Sequence, residues 1–212
     1  MLSFAQSACS ARDAFLFILL VSTISAFLLM IETNNLTKYD GTSWIKYDYN
    51  IGHDYINDMY IESLNKLWLA TNSTGIFTFE NEKFLPFNKP KHNYPSLAVS
   101  SVASDNFGNI WFCFLPDSAD AGGIGYWDGT LFTTLFSATK SDYVNDIFID
   151  SKNNKWISAS IGYIWYDENN ASKIFTTFNS LISSDNTTAS VRDNNGALWI
   201  TTYGGGLNKL KP

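Results

Sequence analysis

Two histidines, His53 and His92, are the whole imidazole inventory of a chain of 212 residues. Acid–base catalysis near neutral pH would need one of them, or a clustered carboxylate pair, in a defined constellation. No Gly-x-Ser-x-Gly or His-Glu-x-x-His pattern accompanies them. The two cysteines stand far apart, Cys9 ahead of an apolar N-terminal stretch and Cys113 inside the run Trp111-Phe112-Cys113-Phe114. They are not expected to pair, and Cys113 reads as a small buried hydrophobe. The expectation is therefore a protein without catalytic residues, metal or cofactor. What remains is recognition chemistry. His53, His92, Tyr94, Asp117, Asp120, Tyr143 and Tyr203 fall in polar segments between apolar runs. Aromatic faces beside paired polar groups suit a sugar or a peptide.

The formal net charge is −6, and no run of Lys or Arg is present to neutralise a phosphate backbone, so nucleic acid is excluded as an expected partner. Aromatic residues make up 16% of the chain, and they favour the pleated, half-buried surface of a sheet.

Those candidate residues are positioned by a repeat. Trp68, Trp111, Trp156 and Trp199 are separated by 43, 45 and 43 residues. Six residues before each is an acid, Glu62, Asp105, Asp150 and Asp193, and three before each is Asn65, Gly108, Asn153 or Gly196. Acids bond nearby backbone amides and Gly or Asn accepts positive φ, so the spacing predicts a tight turn leading into a Trp-bearing strand. The rival reading of these blocks as calcium loops lacks further ligands and a closing Glu. After each Trp come an apolar strand and a glycine that opens another, at Gly75, Gly123, Gly162 and Gly206, and the complete units add a fourth strand at 83–87, 131–136 and 173–178. Four short strands per unit make one blade of a β-propeller. One Trp per unit inside an apolar strand is expected to pack between neighbouring blades.

Residues 35–48 lack the acid–glycine–Trp block but match 123–135, as the outer half of a blade would, and the last unit, 187–210, stops after three strands. The fold expected is all-β: a propeller of about four blades, three complete plus two complementary half-blades, closed by pairing of 43–48 with the C-terminal unit, with an open four-blade arc as the alternative. It occupies residues 32–212 and is preceded by an N-terminal hydrophobic helix in residues 1–31. Residues 14–31 carry no charge, and as a helix they would reach about 27 Å, enough to span a bilayer. Arg12 just before them favours export of the remainder. An uncleaved signal anchor and a cleaved signal peptide both stay open. The first would give membrane attachment through 14–31 in a periplasmic or extracellular protein.

The blocks Asp105 to Trp111 and Asp193 to Trp199, and the run Trp-Ile-Thr-Thr-Tyr-Gly-Gly-Gly-Leu at 199–207, resemble the two-component regulator propeller repeat of periplasmic sensors in bacterial hybrid histidine kinases. The resemblance covers about residues 35–210. It implies a non-catalytic sensory or protein-interaction module outside the cytoplasm, linked to two-component signalling through a histidine kinase. In such a propeller the ligand face is built by 49–55, 88–96, 137–143 and 179–186 together with 71–74, 115–122, 158–161 and 202–205. The competing readings are a propeller lyase or hydrolase acting on glycans, and a non-functional fragment of a longer sensor.

Overall fold

The computed structural model describes residues 16–21, 26–32, 35–48, 54–63 and 65–210, the first two segments through their backbone. Alternating apolar strands and Gly, Asn or Asp turns fold into five antiparallel sheets among these residues, each made of strands consecutive in the chain. The first sheet contains β1 (Leu16–Val21), β2 (Ala26–Glu32), β3 (Asn35–Tyr39) and β4 (Trp44–Asp48). The second contains β5 (Ile56–Ser63), β6 (Lys66–Thr71), β7 (Ile76–Glu80) and β8 (Lys83–Phe87). One helical turn, α1 (Lys89–His92), leads to the third, with β9 (Val99–Ser104), β10 (Ile110–Phe114), β11 (Gly123–Trp127) and β12 (Phe132–Ser137). The fourth has β13 (Val144–Ile149), β14 (Lys155–Ala159), β15 (Gly162–Tyr166) and β16 (Ser172–Phe175). The fifth has three strands, β17 (Thr187–Arg192), β18 (Leu198–Thr202) and β19 (Gly206–Leu210).

The Trp column holds its register. Trp68, Trp111, Trp156 and Trp199 lie on β6, β10, β14 and β18, the second strand of their sheets. The first two are buried and the others half-buried. The turns before Trp111, Trp156 and Trp199 behave as their residues require, with φ of +85° at Gly108, +65° at Asn153 and +82° at Gly196.

Two expectations about the N-terminal part are corrected. Within the stretch expected as a helix, the described residues 16–21 and 26–31 are strands: β1 and β2 pair antiparallel, Leu16 facing Ile31 and Val21 facing Ala26. A mostly apolar run has no period to tell helix from strand, and the residues Ser22, Thr23 and Ser25 separate this one into two apolar stretches of strand length. No helix among the described residues is long and apolar enough to cross a membrane. Secondly, 35–48 is indeed an outer half, β3 and β4, but its inner half is β2 and β1, so β4 pairs with β3 and not with the C-terminal unit. The count of about four blades rested on that pairing. With β1 and β2 completing their own sheet, the described residues form five sheets.

Successive sheets pack through their apolar sides. Leu36 and Tyr47 of the first meet Met59, Leu69, Phe77 and Phe79 of the second. Trp68, Ala70 and Ile76 meet Val99, Val102, Phe112 and Phe114 of the third. Trp111, Cys113 and Ile124 meet Ile147, Ile157 and Ile164 of the fourth. Phe148, Trp156 and Tyr163 meet Leu198 and Ile200 of the fifth.

Candidate functional site

Each acid of the repeat ties its turn to its Trp. The Asp105 carboxylate accepts the Phe107 and Asn109 amides and the Trp111 indole N–H, each at 2.9 Å. Asp150 and Asp193 repeat the pattern, taking the Trp156 and Trp199 indoles at 3.0 and 2.8 Å, and Glu62 accepts from Trp68 at 2.5 Å. Burial pushes the Asp150 carboxyl up, and the Trp156, Asn154 and Lys152 donors outweigh it, so the group stays below the usual carboxylate range. These acids are structural, as the turn reading required. Their indole bond was not expected, although the constant six-residue spacing is the signal for it.

The innermost strands carry a second regularity. A bulge falls at Asn57, Ser100 and Asn145, each skipped in the pairing register. Each of the three side chains donates to a backbone carbonyl on the next sheet: Asn57 to Val99 at 2.8 Å, Ser100 to Val144 at 2.5 Å and Asn145 to Thr187 at 2.8 Å. These polar staples join sheet to sheet beside the apolar packing. They sit eleven residues before each Trp, a column visible in the sequence once the bulge is known.

One end of the sheets gathers the connections between sheets and the turns between second and third strands. There Asn72, Leu115, Ser160 and Tyr203 donate their amides to the Tyr55, Ala98, Tyr143 and Asn186 carbonyls, at 2.9, 2.8, 2.8 and 2.8 Å. This is the end on which the candidate ligand residues were expected, and their fates differ. His53 lies outside the described residues. His92 stacks on Phe87 with ring centres 3.8 Å apart and meets the Trp127 edge, and burial with the Lys91 charge lowers its pKa.

Tyr94 is buried at 2% exposure among Phe87, Phe114 and Phe132, which removes it from any ligand surface. Its hydroxyl fills the space left by Gly75, where an added Cβ would lie 2.4 Å away. Because that hydroxyl accepts one long bond, from the Ile76 amide at 3.4 Å, Tyr94→Phe should cost under about 1 kcal/mol. Tyr94→Ala, which empties the aromatic cluster, should cost about 3–5 kcal/mol in urea unfolding.

Asp117 is fully engaged: it accepts from the Ser96 hydroxyl and from the Leu97, Ala119 and Asp120 amides. Burial raises its pKa, those donors lower it, and the balance is about 2. Asp120 pairs with Lys89 of α1. The insertion 115–122 is thereby fastened onto the preceding connection. Tyr143 and Tyr203 are exposed at 51% and 76%, with their backbones held by Ser160 and Asn186. Sequence reasoning missed Tyr55, Phe178 and Leu181, which are exposed at the same end, the latter two completely. The 176–186 connection that presents them is fixed by bonds among Thr176, Asn179 and Ser180 and by Thr177 to Asp185.

Antiparallel sheets of three or four consecutive strands, of which the second to fifth are stapled each to the next and carry a Trp on their second strand, define a β-propeller-type fold, and known structures share it. The extracellular domain of a protein described as a hybrid two component system, BT3049 of B. thetaiotaomicron, superposes with a TM-score of 0.62 at 16% identity, over 97% of this chain and 38% of that one. The WD40 β-propeller domain of Doa1 matches with a TM-score of 0.62 at 13% identity, over 90% of this chain and 62% of that one. YCF48 bound to D1 peptide matches with a TM-score of 0.59 at 14% identity, over 88% of this chain and 61% of that one. The chain thus spans well under half of the first of these and about three fifths of the others. No protein-family model and no curated protein matches it.

Proposed function

We propose that the chain is a non-catalytic interaction module working outside the cytoplasm, with the connection end of its sheets as the binding face. The observation that carries this is the gathering of Tyr55, Tyr143, Tyr203, Phe178 and Leu181, all exposed, on connections whose backbones are fixed to the sheets. Rigid aromatic side chains give contact area at little entropic cost. The carboxylates on the same end, Asp117 and Asp120, are engaged in holding loops, which favours recognition over acid–base chemistry. An extended peptide is the favoured ligand, with a glycan as the alternative; YCF48, a fold neighbour, is seen with a peptide bound. The repeat resemblance and the fold shared with a two-component system's extracellular domain support a sensory role beside a histidine kinase.

Peptide and glycan arrays probed with the wild type and with a Tyr143→Ala, Tyr203→Ala double variant test the reading. A ligand whose affinity falls at least about tenfold in the variant, at unchanged thermal unfolding, is expected, since each exposed aromatic anchor contributes about 1–2 kcal/mol or more. Binding equal in both proteins, or none on either panel, rejects the face.

A further inference from the structure

Asp58 on β5, Ser101 on β9 and Asp146 on β13 occupy the same repeat position, ten residues before each Trp, and they meet in the interior. All three are buried, at 5%, 2% and 5% exposure. The Ser101 hydroxyl lies 2.8 Å from Asp58 Oδ2 and 3.2 Å from Asp146 Oδ1. Backbone amides also donate to the pair: Met59 and Val102 to Asp58, and Ile147 and Ser190 of β17 to Asp146, the last at 3.2 Å.

A hydroxyl has one hydrogen, so Ser101 can donate to one of its two carboxyl neighbours. If both carboxyls were ionised, its lone pair would face a carboxylate oxygen in a dry interior, which is unfavourable. With one proton on the pair the count closes: Asp146 Oδ1–H donates to Ser101 Oγ, whose hydrogen goes to Asp58 Oδ2. The mirror form runs the other way. We propose that Asp58, Ser101 and Asp146 are a proton-binding triad, holding one proton between two carboxyl groups and through it joining the second, third and fourth sheets.

The surroundings agree. Burial raises Asp58 to about 7, with Asp146 adding to the rise, and burial raises Asp146 to about 6. Across from these strands, β6 and β14 present Ala70 opposite Asp58 and Ser158 opposite Asp146. The titratable groups acting with the pair are Cys113 of β10, opposite Ser101, and Tyr163 of β15. Burial pushes both upward, with Asp146 adding to each and Asp58 adding to Cys113, so both are neutral where the triad titrates. Arg192 and Asp150 act on Tyr163 in opposite senses. Because both carboxyl pKa values lie above the ordinary Asp range, the triad's stabilising contribution is complete at pH below that range and is lost as pH rises through 6 to 7.

Carboxyl-carbon NMR of the folded wild type over pH 4 to 9 reads the triad directly: at least one buried Asp should titrate near neutrality. In urea unfolding the wild-type unfolding constant should rise by up to about tenfold per pH unit between pH 5 and 7. In Asp146→Asn the amide can donate to Ser101 and still accept from Ser190, so this rise should shrink by up to tenfold per unit. His92 titrates in both proteins and cancels in the comparison. Both carboxyls ionised in the folded wild type at pH 5, or an identical pH slope in the variant, overturns the triad. The NMR measurement decides alone if the variant does not fold, and neither readout depends on the proposed binding face.

Discussion

Trp111→Ala should be the most damaging single substitution of the Trp column, at about 3–5 kcal/mol in denaturant unfolding. The ring is 1% exposed, stacks on Tyr126 with centres 4.8 Å apart, and carries the Lys155 ammonium 4.9 Å above it. Lys155 belongs to the next sheet and is itself buried at 2%, so removing the ring also strips a cation of its aromatic partner. Trp199→Ala should cost less, because Trp199 is half-buried and its cation, Lys209, comes from its own sheet. The indole bond can be separated from packing with Asp105→Asn. The amide's oxygen can keep the Phe107 and Asn109 amides, but its NH2 then faces the Trp111 N–H, two donors meeting. A loss of about 1–3 kcal/mol follows, and Trp111→Phe in the same background should recover part of it. Equal losses for Trp111→Ala and Trp199→Ala would contradict the assignment of Trp111 to an inter-sheet core.

The contrast between those two Trp residues marks how far the sequence is legible. Register is written in repeated columns: the acid, the Gly or Asn of the turn and the Trp recur at fixed offsets, with a glycine opening the third strand 6 to 12 residues after the Trp, because each repeat poses the same local problem. Depth is not repeated. Trp111 and Trp199 are identical in the column, and they differ because Trp111 faces a following sheet that covers it. The connections are less legible still. Tyr94 and Tyr143 both look like loop aromatics, yet Tyr94 drops into the space above Gly75, 19 residues earlier in the chain, while Tyr143 stays at the surface. Nothing local encodes that difference. The proton-binding column was present as Asp58, Ser101, Asp146 and Ala189, but a mixed column of acid, hydroxyl and methyl gains meaning only when the bulges bring Asp58 and Asp146 to either side of Ser101.

Removing residues 1–34 should destabilise the first sheet severely, the reverse of what a dispensable membrane helix would give. β3 loses its partner β2, with which it pairs from Glu32↔Asn35 to Leu28↔Tyr39, and is left with β4 as a two-stranded ribbon. Such a ribbon is marginal in water, and its bared edge invites pairing with other chains. The second sheet would suffer with it. Leu36 is fully buried against that sheet, and Tyr47 meets the Phe79 ring at 4.9 Å and donates its hydroxyl to Glu82 at 3.1 Å. Fraying of β3 and β4 would therefore uncover Met59, Leu69, Phe77 and Phe79, an apolar face that in the intact chain is covered. Hydrogen exchange should show protection lost at Thr37 and Tyr39 and reduced along β7, with the β10 and β14 amides close to their original rates, and the truncated protein should self-associate. A monomeric product with unchanged exchange in β3 and β7 would mean that residues 16–32 do not complete the first sheet.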